Sequence, residues 1–341
     1  MSPTKTKIGI LGAGSFGLAL AYLYANEGHE ITVWDRNPEK IARLSQNKAI
    51  TTPAEFTLPE SVKLISDLNT LAHSVDIIIL SVTSKGTRET CRALAHVELP
   101  PDVILVNVSK GFEPQANSQT NLLRLSQVIQ AELPQNQVTV LSGPSLAKEL
   151  ILGLPTAISV AAENLELAEK LMTILSCDSC LRLYANTDML GVELGGALKN
   201  IYAIGAGYLI ENKLGDNALA AYITRSLNEM TRFAVEQGAQ PATLYGLSGL
   251  GDLITTCHSP LSRNYQIGVR LAQGQPLVEV MKTLVGTAEG VASTRALVAS
   301  VKNASETLPI AKTISLLLEE EPPTPSELIQ SLMTRRPRKE C

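Results

Sequence analysis

Residues 8–17, IGILGAGSFG, decide the fold. Residues 8–12 form a short apolar run of strand type, and from Ser15 the chain takes helical periodicity up to Gly28. Gly12, Gly14 and Gly17 stand at the junction with GxGxxG spacing. That spacing is weak alone; between a strand and a helix it is the dinucleotide-binding fingerprint. Gly12 permits a tight turn, Gly14 lets backbone approach a pyrophosphate, and Gly17 lets helix and strand pack closely. The anion then meets the positive helix end and its free N–H groups. A plain glycine-rich turn is the bland alternative. Asp35 argues against it, because it closes the next strand-like run, 31–34, where the fingerprint places a ribose-binding acid. A carboxylate there repels a 2′-phosphate and favours NAD. Arg36 follows at once and suits a 2′-phosphate, so use of NADP as well stays open.

The same alternation continues outward. A helix is expected from Pro38, a residue suited to a first helical position. Runs 75–82, 103–108 and 138–141 are nearly continuous in apolar residues, as in strands buried on both faces. Helical patterns at 85–95 and 120–133 separate them. Repeated strand–helix units predict a doubly wound parallel sheet with right-handed crossovers, a Rossmann-type α/β domain. Runs 157–161 and 181–184 flank a helix at 165–175 and extend the same sheet. After residue 188 strand-like runs stop, and helical patterns cover 189–210, 218–237, 265–272, 288–299, 310–320 and 326–334. The expected organisation is a dinucleotide-binding domain at 1–187 and an all-helical substrate domain at 188–341.

The helical half carries the sharpest local signal, GVELGGALKN at 191–200. Helical side chains lean toward the N-terminus, over positions i−3 and i−4. For Lys199 these are Gly196 and Gly195, so its ammonium is expected over a bare patch large enough for a ligand. Close helix packing is the structural alternative. A lysine made less basic by burial can act as an acid or base near neutral pH. Further along, GLSGLGD at 246–252 implies a crowded bend, with Asp252 as a candidate cap for the next helix. Ser262 is a candidate N-cap for 265–272, placing Arg263 and Asn264 in the first turn. Arginine is unfavourable at that end of a helix unless an anion joins it. In the first half, Lys110 stands past a strand end, where ligands of open sheets lie, although a strand-end lysine taken alone is more often a solvent charge. Ser145, in Gly143-Pro144-Ser145, reads as a helix cap or a ligand contact.

The remaining features exclude function classes. The chain has 341 residues, about two domains' worth. Its 45% apolar and 18% charged residues allow a sizeable core. Lys plus Arg total 29 against 33 Asp plus Glu, a net charge of −4. A broadly basic nucleic-acid surface is excluded, and any bound anion needs a local positive site. No uninterrupted apolar run reaches the roughly 18 residues a membrane span needs. No secretory leader is visible, so the cytoplasm is expected. Cys177 and Cys180 form a CxxC pair with no further zinc ligands nearby, and they follow a helix rather than opening one. They read as ordinary thiols. The four His show no metal pattern. The run RRPRK at 335–339 reads as a solvated end.

Together these segments resemble the bacterial-type NAD(P)-dependent glycerol-3-phosphate dehydrogenase family. The likeness runs through GAGSFG at 12–17, SKG at 109–111, GPSLAKE at 143–149 and GLPTA at 153–157. It continues through NTDMLGVELGGALKN at 186–200, ITRSLNEM at 223–230, GLSGLGDLITTC at 246–257 and SRN at 262–264. The resemblance implies NAD or NADP as cofactor, and dihydroxyacetone phosphate and sn-glycerol 3-phosphate as substrates. It implies Lys199 as general acid/base. It implies Lys110, Gly143, Ser145, Asp252, Ser262, Arg263 and Asn264 at the substrate, and Ser15, Phe16, Arg36, Lys110, Ala147, Arg263 and Glu289 at the cofactor. A homodimer is typical of the family. The chain departs from the family pattern at Asp35, often glycine, at Thr83, usually proline, and at Thr287-Ala288 before Glu289-Gly290. Two other classes compete. A reductase of an unphosphorylated hydroxy acid would not need the 262–264 site. A non-catalytic NAD-binding regulator would have no use for Lys199 over two glycines.

Overall fold

The glycine turn joins β1 (Lys7–Leu11) to α1 (Ser15–Asn26), and β2 (Glu30–Trp34) follows. The computed structural model describes residues 5–113, 122–284, 286–324 and 326–327. Most of the expected helix at 326–334 and all of the 335–339 run lie outside them, as do Cys341 and the first residues expected of the 120–133 helix. The chain continues through α2 (Pro38–Asn47), the short pair β3 (Ala49–Ile50) and β4 (Phe56–Thr57), β5 (Lys63–Ile65) and α3 (Leu68–Ala72). Then come β6 (Ile77–Leu80), α4 (Ser84–His96), β7 (Ile104–Asn107), α5 (Leu125–Glu132) and β8 (Val138–Ser142). The sheet half closes with α6 (Ala147–Ile151), β9 (Thr156–Ala161), α7 (Leu165–Leu175) and β10 (Leu181–Asn186).

One sheet orders these strands β10-β9-β8-β7-β6-β1-β2-β5. From β5 to β8 every pairing is parallel, and the strand order reverses at β1. The crevice at such a switch point is where open α/β sheets bind dinucleotides. The central strands are buried on both faces, which explains their unbroken apolar runs. One expectation changes: β9 pairs antiparallel with β8. The only helix between them, α6, has five residues, about 7.5 Å of rise. That is too short to run back along a strand of about 17 Å. The chain therefore re-enters the sheet from the same end. The 11-residue α7 does span the distance, and β10 is parallel to β9.

Beyond β10 the described residues contain helices only. These are α8 (Met189–Glu211), α9 (Asp216–Glu236), α10 (Pro241–Leu244), a π-helical turn at Leu247–Gly251, α11 (Asp252–His258) and α12 (Arg263–Ala272). They are followed by α13 (Leu277–Thr283), α14 (Gly290–Ser300), α15 (Ala304–Thr307) and α16 (Pro309–Leu317). α8 is predominantly apolar and is buried from Gly191 to Tyr208. Such a helix belongs in the middle of a core. Asp188 caps it, accepting from Gly191 N at 2.9 Å and from Gln240 N at 2.8 Å. Glu193 on α8 accepts from Ser126 N at 2.8 Å and from Arg124 Nη1 at 2.8 Å, which ties the helix to the start of α5. Among the described residues, no helix is long and apolar enough to cross a membrane.

Candidate active site

α1 opens on Gly14 with no side-chain cap and no acidic residue in its first turn. Its first N–H groups therefore have no partner inside the helix. Gly12 has φ +106°, and a Cβ there would lie 2.5 Å from the Ser81 carbonyl oxygen. A Cβ at Gly17 would lie 2.2 Å from the Gly12 oxygen. At Gly14 a Cβ would meet nothing within 4 Å among the described residues. Two glycines thus serve packing, and the third leaves open space before an uncapped helix, which fits a pyrophosphate. Ser15 and Phe16 are the first residues of α1, and Ala147 begins α6, which packs against it. Asp35 lies just past β2 and accepts from Ala13 N at 3.0 Å, so the acid touches the glycine turn. Burial raises the Asp35 pKa, but hydrogen bonds from Lys40, Asn37 and Ala13 outweigh it and hold the carboxyl below its ordinary value. Arg36 is exposed and pairs with Glu89 at 2.9 Å.

The second cluster joins both halves of the chain. Asp252 is 1% exposed and bridges two lysines. Lys199 Nζ donates to its Oδ1 at 2.8 Å and Lys110 Nζ to its Oδ2 at 2.6 Å. Lys199 also donates to Thr256 Oγ1 at 2.6 Å, and Lys110 to the Gly143 oxygen at 2.8 Å and Ser145 Oγ at 3.5 Å. Two ammoniums on one carboxylate leave the cluster net positive. Burial lowers the Lys110 pKa to about 8, against the opposing pull of Asp252.

The Arg263 site adjoins this cluster through amides. Asn200 Nδ2 donates to the Lys110 oxygen at 3.5 Å, Asn264 Nδ2 to Asn200 Oδ1 at 2.9 Å, and Gly290 N to Asn264 Oδ1 at 3.0 Å. Ser262 caps α12 as expected, accepting from Tyr265 N at 3.3 Å. Arg263 Nη1 donates to the Thr287 oxygen at 3.0 Å, and its guanidinium lies over Gly286. Among the described residues it pairs with no carboxylate. Burial lowers its pKa. Glu289 reaches back to the sheet half, accepting from the Ser84 hydroxyl and from Ser84 N at 3.1 Å.

Three local expectations are corrected. A Cβ at Gly195 would stand 2.6 Å from the Ser248 oxygen, and one at Gly196 2.3 Å from Ser142 Oγ. The glycine pair therefore admits the π-helical turn and the end of β8; it does not leave a bare patch. Asp252 is the first residue of α11, not its cap, because its carboxylate is spent on the lysines. Ser145 does not cap α6 either; its hydroxyl donates to the Gly143 oxygen at 2.9 Å. Thr256, Lys40 and Ser84 were not foreseen. Thr256 had a signal, since it lies four positions after Asp252 on a helix and so shares its face. Cys177 and Cys180 are buried free thiols, and burial pushes both pKa values up. No potential metal cluster occurs among the described residues.

Comparison with known proteins identifies the family. The family described as NAD-dependent glycerol-3-phosphate dehydrogenase matches through its N-terminal part at residues 7–168 and its C-terminal part at residues 188–330. The chain belongs to this family. It is similar to the glycerol-3-phosphate dehydrogenase (NAD(P)+) of Thiobacillus denitrificans, with 41% identity over 98% of this chain and 99% of that protein. The enzyme of the same name from Acaryochloris marina is 40% identical over 97% and 96%. Among solved structures, the glycerol-3-phosphate dehydrogenase of Coxiella burnetii superposes with a TM-score of 0.87 at 33% identity, covering 98% of this chain and all of that one. A ketopantoate reductase from Ralstonia eutropha, with a TM-score of 0.55 and 13% identity, shares the fold alone.

Proposed function

We propose that the chain is an NAD(P)-dependent sn-glycerol-3-phosphate dehydrogenase, interconverting dihydroxyacetone phosphate and sn-glycerol 3-phosphate for glycerophospholipid synthesis. The observation that carries the reading is the Lys199–Asp252–Lys110 bridge beside an Arg263 that, among the described residues, has no carboxylate partner. A phosphorylated carbonyl compound needs both an acid for its oxygen and a separate cation for its phosphate.

When bound at the glycine turn, the nicotinamide cofactor supplies the hydride to the carbonyl carbon. Lys199 is the general acid/base. Asp252 and Thr256 take two of its three N–H directions, and the third is left for the substrate oxygen. Its proton passes to that oxygen as negative charge develops there, and returns to Nζ in the reverse direction. Lys110, Gly143 and Ser145 orient the carbonyl end, with Asp252 keeping both ammoniums in register. Arg263, with the first turn of α12 at Ser262 and Asn264, holds the phosphate. Gly12, Gly14, Ser15, Phe16, Gly17, Asp35, Arg36, Ala147 and Glu289 contact the cofactor, with Lys110 and Arg263 shared between the two ligands. We place the boundary between cofactor domain and catalytic domain at 187/188, supported by the separate family matches on either side. The protein is a cytoplasmic homodimer on this reading.

Following nicotinamide absorbance with dihydroxyacetone phosphate tests the activity, and no turnover with either NADH or NADPH refutes it. Sedimentation at the 36.5 kDa mass of a single chain refutes the dimer.

A further inference from the structure

Asp35 stands where an acid ordinarily reads the adenosine ribose, accepting its hydroxyls and repelling a 2′-phosphate. In this chain that carboxylate is already engaged. Its Oδ2 accepts from Ala13 N at 3.0 Å and from Lys40 Nζ at 2.7 Å, and its Oδ1 accepts from Asn37 N at 3.1 Å. A carboxylate oxygen has two lone-pair directions, so Oδ2 is full and Oδ1 keeps one. The acid can take a single ribose hydroxyl, and its charge is cancelled at contact distance.

Lys40 is unusual in its own right. It is the third residue of α2, and a cation in the first turn opposes the helix dipole. Its ammonium folds back to Asp35, with side-chain exposures of 30% for Lys40 and 13% for Asp35. The neighbouring Arg36–Glu89 pair is far more exposed, at 70% and 74%. Lys40 is thus the more buried cation beside the glycine turn, and it keeps two N–H donors uncommitted to Asp35.

We propose that Lys40 is a cofactor-specificity residue: it neutralises Asp35 and offers its free N–H donors to the 2′-phosphate of NADP, so that an acid at the end of β2 does not exclude NADP. The proposal rests on the dehydrogenase reading for the position of the cofactor.

Binding to the substrate-free protein tests it without turnover. NADPH and NADH are titrated by nicotinamide fluorescence against the parent, Lys40→Met and Lys40→Arg. Lys40→Met is expected to weaken NADPH by about tenfold, the worth of one charge-assisted hydrogen bond. NADH should bind as in the parent or tighter, since Asp35 is released for the ribose. Lys40→Arg should keep NADPH binding. The parent should lose NADPH affinity with added salt more steeply than Lys40→Met does. Equal weakening of both cofactors by Lys40→Met, or unchanged NADPH binding, overturns the proposal and leaves the dehydrogenase reading intact. A parent protein that binds neither cofactor overturns both.

Discussion

Gly195→Ala is the sharpest test of how the site is assembled. The added Cβ would stand 2.6 Å from the Ser248 oxygen, 2.9 Å from the Ser248 carbonyl carbon and 3.1 Å from Gly249 N. All three are backbone atoms, so no side-chain rotation relieves the clash. Ordinary contact begins at 3.4 Å, a shortfall of 0.8 Å. The atoms that must give belong to the π-helical turn that leads directly into Asp252. The Lys199–Asp252 and Lys110–Asp252 bonds, 2.8 and 2.6 Å long, have little slack before they leave hydrogen-bond range. A misplacement approaching 1 Å costs catalysis about 10²-fold. Stability should fall less, because overpacking costs about 1–3 kcal/mol while replacing a helical glycine by alanine returns about 0.8–1 kcal/mol. Steady-state reduction of dihydroxyacetone phosphate gives kcat, and a thermal melt separates misplacement from unfolding. A variant that melts slightly early but turns over like the parent would show that Asp252 is not positioned by this contact.

Gly14→Ala is the counterpart. Nothing among the described residues lies within 4 Å of the new Cβ and the backbone is extended there, so the melt should be unchanged while cofactor binding weakens; intact binding would remove the pyrophosphate from this turn. Lys199→Ala should lower kcat by about 10²–10⁴, and a variant that kept its rate would need another acid. Arg263→Ala should weaken the phosphate substrate by about 1.5–3 kcal/mol; an equal loss with unphosphorylated dihydroxyacetone would refute phosphate binding there. Lys110, with its pKa lowered to about 8, loses its charge as pH rises past that value, so KM for the phosphate substrate should climb above about pH 8. Folding stability responds oppositely. An unfolded lysine keeps its proton to about 10.5, so the unfolded chain binds more protons between the two values and this group's burial penalty fades as pH rises. A KM that stays flat across pH 7–9 would contradict the assignment.

The parts of the site legible in sequence are those built from neighbours. The glycine turn, the Pro38 start of α2 and the Ser262 cap act within a few residues, and Asp35 meets Ala13 across 22 positions through the pairing of β1 with β2. They appear in the structure as read. The strand count at the sheet edge was less legible. β5 is a three-residue strand with a mixed pattern, and the direction of β9 depends on the length of α6. At Gly195-Gly196 the sequence identified an unusual position but not its use. Missing side chains mean room, and only the neighbouring chain says whether backbone or ligand takes it.

By itself the sequence determined the strand–turn–helix with its glycine spacing, and which cations stand at element ends or, like Lys199, inside a glycine-bearing helix. Backbone conformation and helix periodicity are local properties. The tertiary structure decided how those cations are paired. Asp252 meets Lys199 across 53 positions of chain and Lys110 across 142. It also set Lys40 on Asp35 and, among the described residues, left Arg263 without an acid. Coulombic partners are chosen by distance in space and by burial, and neither quantity exists until the two halves have packed.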